Sequence, residues 1–387
     1  MTVLCLGYRK GFVEAARERG VDIHFVVEKV KADLAGSAYT LVSDLSDIAE
    51  VVRAVAASGN LVPTAAVTGH EQAVLPVAAL RGLHGLPGNR DLATYLRFRD
   101  KYLQKAALPP TIAHAQCRYV KRADTEFAAM AAQMGSSLVL KPADGHGSNN
   151  TALVDSQQSY DRYFAESPIL SDVGTVAESY VSGREIHVDG VWVDGRIEWS
   201  AVSAYLDQLM NWAMGGVVGD YPIDSSDSSL TRLAEAFATQ VLTALGAPDT
   251  VFHLEAFVDS DGTLTLGEVA ARMVGAMTPE ILARTYGVDL YGASLDLALG
   301  RAPVLPKSRK APDTLFGFVF LNRHPGARVS EADIRARFDV ADCSFPESRI
   351  GDSTRSYGRW GHAILGRASV SALEADLRSV AEFTKTG

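Results

Sequence analysis

Two carboxylates thirteen residues apart, Glu255 and Glu268, flank the turn cluster Asp259-Ser260-Asp261-Gly262. The alternating apolar runs on either side predict a β-hairpin, strand Phe252–Val258 followed by Thr263–Val269. Such a hairpin sets both acids near its open end, on neighbouring strands and facing one way. Oxygen donors so placed suit one or two Mg²⁺ ions, which commonly bridge protein acids to nucleotide phosphates. Arg272 follows four residues after Glu268. Its planar, permanently charged fork suits a carboxylate or a phosphoryl group. His253 faces the same side as Glu255 by strand alternation, where it could serve a phosphate or simply hold a structural hydrogen bond. A surface hairpin with solvated acids would present the same residues.

Further chemistry lies upstream. The apolar run Ser137–Leu140 delivers Lys141 and Pro142 into Ala143-Asp144-Gly145-His146-Gly147-Ser148-Asn149-Asn150. Gly145 and Gly147 permit backbone conformations in which successive N–H groups point at one anion, and Ser148 adds a hydroxyl. The spacing is not that of a Walker A loop, and a plain turn would also fit. Lys101 falls in the charged stretch Arg90–Ala107, which reads as one helix. Between Thr175 and Glu185 runs an extended connector bearing Glu178, Tyr180 and Val181. Its backbone could face a flat heterocycle, and a carboxylate at its end could accept hydrogen bonds from a ribose diol.

The elements that carry these residues alternate. Thr2–Leu6, Phe12–Arg19 and Asp22–Val27 read as strand, helix and strand, and Ile48–Ala57, Ala65–Thr68 and Glu71–Leu80 extend a doubly wound layer to about residue 90. The turn Gly7-Tyr8-Arg9-Lys10-Gly11 lacks the G-x-G-x-x-G spacing of a dinucleotide site, so its glycines read as turn and packing residues. Downstream, Asp194-Gly195 marks a tight hairpin, and Arg232–Leu245 reads as an amphipathic helix.

Composition narrows the function classes. The 387 residues, 47% of them hydrophobic, suffice for two or three domains. A net charge of −9 without a basic run argues against a nucleic-acid surface. Cys5, Cys117 and Cys343 match neither a zinc knuckle nor a disulfide framework and suit a reducing cytosol. The first residues read unlike a signal peptide, and no eighteen apolar residues run together, so a soluble, cytoplasmic protein without a membrane partner is expected.

Taken in order, Lys101, Lys141 with its Gly loop, Glu178 to Glu185, then Glu255 and Glu268 resemble the ATP-grasp superfamily of ATP-dependent ligases. The likeness covers roughly residues 90 to 300. It implies a fold of α/β and α+β class: an N-terminal layer (1–90), an ATP-grasp domain (91–302, divided into a lid subdomain 91–180 and a core subdomain 181–302), and a small C-terminal α+β lobe (303–387). It implies ATP and Mg²⁺ as cofactors, with Mn²⁺ as a substitute. By position, the phosphate lysines are Lys101 and Lys141, the mobile loop is Gly145, Gly147 and Ser148, and the acid near the adenine amino group is Glu178. Tyr180 and Val181 fall in the connector, Glu185 at the ribose, Glu255 and Glu268 at the metal, and Arg272 at the substrate carboxylate or its acyl phosphate. Ala270 departs from the family's E-x-N-x-R signature, where Asn supplies a metal ligand.

Within that superfamily the chain is most similar to carboxylate–amine ligases of the L-amino-acid ligase type, through Glu268 to Gly275, Gly69-His70-Glu71, the GLPG at Gly85 to Gly88 and the C-terminal lobe with His324-Pro325-Gly326 and Gly358–Leu365. The resemblance implies a carboxylate and an amine as small-molecule substrates, an acyl-phosphate intermediate, and often a homodimer. No general base for the amine is evident; Asp207, Asp220 and His324 are candidates by chemistry alone, and a structural role suits each better. Trp192 reads as core, while Trp199, Trp212, Met210 and Met214 could line a substrate pocket or complete a core. A NAD-dependent oxidoreductase built on the N-terminal layer and a non-catalytic nucleotide-binding protein are the competing readings.

Overall fold

The computed structural model describes the chain apart from residues 32–33, 35, 60, 122–125, 167–173, 224–228, 308–311, 323–328, 347–358 and 387, and apart from the side chains of 212–214 and 386. His324-Pro325-Gly326, Gly358 and the side chains of Trp212 and Met214 therefore lie outside the described residues.

Alternating apolar strands and amphipathic helices build the N-terminal layer: β1 (Thr2–Leu6), α1 (Lys10–Glu18), β2 (Asp22–Val27), β3 (Ala38–Leu41), α2 (Ile48–Ala57), β4 (Pro63–Thr68) and α3 (Val74–His84). The strands form a parallel sheet in the order β3-β2-β1-β4. Strand alternation divides β1 between two cores. Val3 and Cys5 pack with Phe12 and Ala16, whereas Leu4 and Leu6 pack with Val51, Val55 and Val77. Edge strand β3 carries no apolar periodicity and is largely exposed, so its sequence did not announce it. A Cβ on Gly7 would lie 2.3 Å from the His70 ring, and one on Gly11 2.3 Å from the Tyr291 ring. Both glycines are sites of close side-chain packing.

The stretch expected as one helix over Arg90–Ala107 is two, α4 (Leu92–Arg97) and α5 (Lys101–Ala106). Asp91 accepts from the backbone N–H of Ala93 and Thr94, and Asp100 from that of Leu103, so each helix has its own N-cap. The break puts Lys101 at the first position of α5, its N–H bonded to the Ala143 carbonyl at 2.8 Å.

Next come β5 (Cys117–Val120), α6 (Phe127–Met134), β6 (Leu138–Pro142), β7 (Ala152–Val154), α7 (Gln157–Glu166) and β8 (Thr175–Ser179), an antiparallel sheet ordered β5-β8-β6-β7. Leu138 and Leu140 of β6 join Met130 and Phe164 in its core, which leaves Val139 and Lys141 on the opposite face. The connector expected from Thr175 is thus partly strand β8.

The largest sheet uses β9 (Arg184–Val193), β10 (Arg196–Tyr205), β11 (Gly219–Pro222), β12 (Thr250–Val258), β13 (Leu264–Ala270), β14 (Leu315–Leu321), β15 (Asp342–Ser344) and β16 (Gly361–Arg367). Its order is β13-β12-β9-β10-β11-β14-β16-β15, antiparallel throughout. Residues after 302 thus extend the same sheet. Helices α8 (Ser229–Leu245), α9 (Thr278–Tyr286), α10 (Leu290–Ala298), α11 (Glu331–Arg337) and α12 (Val370–Thr386) complete the chain. Asp194 and Gly195 both take positive φ, 50° and 75°, as a two-residue hairpin turn requires. Among the described residues no helix is long and apolar enough to cross a membrane.

Gly190 is a closely packed point of the sheet, on β9 beside the hairpin strand β12. A Cβ there would lie 2.5 Å from the Trp199 carbonyl oxygen and 2.7 Å from the Phe252 ring. The carbonyl belongs to the β9–β10 ladder and has little room to retreat. Gly190→Ala is expected to destabilise the protein by about 1–3 kcal/mol through overpacking. Thermal unfolding checks this, and an unchanged melting temperature would show that the ladder opens there without penalty.

Candidate active site

A cleft opens between the four-stranded antiparallel sheet and the β12–β13 hairpin. Lys101, Lys141, Gly145, Gly147, Ser148, Glu178, Tyr180, Val181, Glu185, Glu255, Glu268 and Arg272 all line it. The residues singled out in the sequence therefore share one cavity, although they come from the start of α5, the strand ends of the smaller sheet and the hairpin of the larger one.

The hairpin aligns its two acids directly. Glu255 pairs with Glu268 in the ladder, the third pair from the open end, and the register then shifts so that Ala256 faces Leu266. Gly267 occupies the irregularity, and its carbonyl accepts from Lys105 Nζ at 2.8 Å.

Cations and anions in the cleft are paired with one another. Glu178 Oε1 lies 2.6 Å from Lys105 Nζ, and its Oε2 lies 2.8 Å from Lys141 Nζ. Lys101 Nζ contacts Glu268 Oε2 at 3.0 Å and donates to the Gly145 carbonyl at 2.7 Å. Burial alone would raise the Glu178 carboxyl, but Lys105 and Lys141 hold it below the usual range. Burial likewise opposes ionisation of Glu268, yet Lys101 and then Lys141 keep it well below the usual value. Lys141 resists its own burial through Glu178 and Glu268 and stays above the ordinary lysine range. Lys105 shares Glu178 with Lys141, and burial pulls it below that range.

A second network runs under the hairpin. Glu255 Oε1 receives the Tyr205 hydroxyl at 2.9 Å and lies 3.1 Å from His253 Nε2. His253 Nδ1 and His187 Nδ1 grip opposite oxygens of Asp189 at 2.8 and 2.6 Å, and His187 Nε2 lies 3.4 Å from Asp220 Oδ2. His253 is thus part of a buried network. Burial disfavours both charged imidazoles, but Asp189 outweighs it, lifting His253 to about 9 and His187 to about 10. Burial, reinforced by Glu255, pushes Glu185 up to about 8, although the Leu209 N–H donates to it at 2.8 Å. Among the described residues, His187, Asp189 and His253 also form the one cluster with metal-ligand proximity.

The remaining predicted residues need more detail. Arg272 Nε donates to Glu71 of the N-terminal layer, and its Nη1 donates to the Met273 carbonyl at 2.7 Å. Gly147 takes φ 61°, but Gly145 is not in the positive-φ region; Ser148 and Asn150 are, at 54° and 53°. The loop's left-handed turns therefore fall on Gly147, Ser148 and Asn150. Tyr180 spends its backbone N–H on the Ser137 carbonyl at 3.0 Å. Asp207 is bound by Arg378 at 2.9 Å and by the Val217 N–H at 2.8 Å, which makes it a loop anchor. Trp192 and Trp199 are buried in core clusters, while Met210 lines the cleft. The three cysteines are free.

Sequence reasoning missed Lys105, His187 and Asp189. Lys105 follows Lys101 by one helical turn, a spacing that places both on one face. His187 and Asp189 alternate on β9, the strand paired with β12, but only the ladder reveals that His187 faces Glu255 and Asp189 faces His253.

No family model matches the chain. A curated relative, the L-arginine-specific L-amino acid ligase of Bacillus subtilis, is 25% identical over 241 residues, covering 61% of this chain. The match spans 57% of that relative's length. Among solved structures, an L-amino acid ligase from Bacillus licheniformis superposes with TM-score 0.76 at 18% identity, covering 99% of this chain and 98% of its own. Carboxyaminoimidazole ribonucleotide synthase from Aspergillus clavatus, complexed with ATP, gives TM-score 0.76 at 16% identity with the same coverage. The chain has the ATP-grasp fold. Phosphoribosylglycinamide synthetase from Anaerococcus prevotii shares that fold over 98% of this chain and 97% of its own, with TM-score 0.69 at 15% identity.

Within this ATP-grasp cleft, Lys105 is buried against the acid that also holds Lys141. Removing Lys105 leaves Glu178 with one of its two ammonium partners and the buried Gly267 carbonyl without its Lys105 donor. Lys105→Met is expected to cost about 3–5 kcal/mol of stability. Urea unfolding tests it: a loss under about 1 kcal/mol, in the range of a surface pair, would contradict the buried assignment.

Proposed function

We propose that the chain is an ATP-dependent carboxylate–amine ligase that forms an amide or peptide bond through an acyl phosphate and releases ADP and phosphate. The observation that carries this reading is the facing of Glu255 and Glu268 in one ladder, in the same cleft as Lys101, Lys141 and Arg272. The ligase relatives support it. Glu255 and Glu268 are hard oxygen donors on adjacent strands and fit Mg²⁺, or Mn²⁺ as a substitute; Ala270 offers no further ligand. Such an ion would supply positive charge to the phosphates during transfer.

In this reading Lys101 and Lys141 hold phosphate oxygens and stabilise the charge that moves during transfer. Both oxygens of Glu178 are engaged by lysines, so its contribution is to fix Lys141, and adenine falls to the backbone of Tyr180 and Val181. Glu185 takes the ribose, and Gly145, Gly147 and Ser148 cover the phosphates. A substrate carboxylate oxygen attacks the γ-phosphorus as the bond to ADP breaks. Arg272, oriented by Glu71, holds that carboxylate and then the acyl phosphate. The amine nitrogen attacks the acyl carbon, and phosphate leaves. The substrates are small molecules, amino acids or their derivatives, in a cytoplasmic setting. A nicotinamide site on the N-terminal layer is disfavoured by the side chains packed on Gly7 and Gly11.

A coupled ADP-release screen over pools of amino acids and other carboxylates tests the reading. ADP release that needs both an acid and an amine, with a matching amide product, supports it; ADP release indifferent to every acid would refute it. Glu268→Gln should lower ligation by at least about a hundredfold, on the scale of losing a preorganised charge contact. ATP binding measured by calorimetry should fall much less. Near-normal turnover in saturating Mg²⁺ would remove Glu268 from the metal site.

A further inference from the structure

Five acids line the cleft: Glu178, Glu185, Asp220, Glu255 and Glu268. Four have partners that explain them. Lysines hold Glu178 and Glu268, the Leu209 N–H donates to Glu185, and Tyr205 and His253 engage Glu255. Asp220, on β11, is different. It is fully buried, and its Oδ2 accepts from the Thr278 hydroxyl and lies 3.4 Å from His187 Nε2. Its Oδ1 is buried with no hydrogen-bond partner.

A buried carboxylate oxygen without a donor is costly, and native proteins rarely leave one so. Thr278 donates to the other oxygen, and His187 Nε2, itself buried without a hydrogen-bond partner, lies 3.4 Å from it, which leaves Oδ1 for a group entering from the cleft that Asp220 lines. Around it the wall is apolar, with Val218, Phe318, Leu209 and Ala276. Ala276 holds a positive φ of 53°, unusual for a residue with a Cβ, two positions before the Thr278 that orients the acid. The chain of alternating acids and imidazoles from Glu255 through His253, Asp189 and His187 ends on this oxygen pair. A donor that is cationic and attached to hydrocarbon fits the vacancy in hydrogen bonding and the apolar wall together.

We propose that Asp220 is the receptor for a substrate ammonium group, so that the site selects substrates bearing a primary amine next to an apolar frame. This rests on the ligase reading and deepens it. The ammonium can belong to the amino acid that donates the carboxylate or to the amine that attacks it. The chemistry recognised at Oδ1 is the same.

The test compares amino acids with their desamino analogues on wild type and Asp220→Asn. Calorimetry with Mg²⁺ and a slowly hydrolysed ATP analogue measures binding directly and does not depend on turnover. Wild type is expected to prefer the amino compound by about tenfold to a hundredfold, the scale of one charge-assisted hydrogen bond, and Asp220→Asn to erase that preference. A structural role would weaken both ligands alike and leave the ratio unchanged, which would overturn the proposal. So would a wild type with no preference. If Asp220→Asn fails to fold, Thr278→Val decides: a narrowed preference supports the assignment and an unchanged one overturns it. Trapping with hydroxylamine in place of the amine separates the two sources. A raised KM for the acid in hydroxamate formation assigns the ammonium to the acid substrate, and a raised KM for the amine in amide formation alone assigns it to the nucleophile. Failure of wild type to release ADP with any acid would reject the ligase reading, while the binding ratio would still judge Asp220.

Discussion

Glu178 held between two lysines is the interaction on which the cleft depends. Lys105 is 3% exposed and Glu178 5% exposed, so neither charge has adequate water. The pair survives because Glu178 accepts from two ammonium groups and Lys105 finds a second acceptor in the Gly267 carbonyl. Three units meet at that point: α5 through Lys105, the antiparallel sheet of β5 to β8 through Glu178 and Lys141, and the β12–β13 hairpin through Gly267. Gln104, beside Lys105, reinforces the junction by bonding both the carbonyl and the N–H of Val269, at 2.7 and 2.9 Å. Moving any one of the three would strand a buried charge. The cleft wall is therefore tied together where Lys101 and Lys141 stand.

The outer elements extend those ties to the substrate side. Arg9 and Glu71 of the N-terminal layer bind the segment leaving the hairpin, at the Val274 carbonyl and at Arg272. The C-terminal helix α12 reaches the opposite wall, where Arg378 holds Asp207 and the Leu206 carbonyl. The loop so anchored includes Leu209, whose N–H meets Glu185. The N-terminal layer thus fixes Arg272, and the terminal helix fixes the loop that meets Glu185.

Sequence reading reached the residues that advertise their chemistry by type and spacing. Glu255 and Glu268 are announced by a turn between alternating strands, Lys141 by an apolar strand running into glycines, and β1, β2 and α2 by periodicity at their observed bounds. What it missed depends on contacts between distant segments. Lys105 looks like any lysine on a short helix until Glu178, 73 positions away, is folded against it. The break at Asp100 was hidden because helix-favouring residues surround it, and only the cap geometry separates α4 from α5. The partnership of Asp189 with two histidines requires the β9–β12 register, which no local pattern encodes.

Lys101 and Lys141, which would meet a phosphate, already have anionic partners in Glu268 and Glu178, and Glu268 is also one of the acids that would meet a metal. Lys101 lies against Glu268, and Lys141 feels Glu268 and Glu255 behind Glu178. Such pairing keeps like charges from facing one another unscreened in a low-dielectric cavity. It also sets the terms of binding. A phosphate–metal unit carries both signs, so it can insert between Lys101 and Glu268 with each side exchanging one partner for another of the same charge. A lone anion or a lone cation would strand one member of the pair. In the proposed ligase, the pairing of Lys101 with Glu268 would therefore favour joint arrival of nucleotide and metal over either alone, with no change of fold.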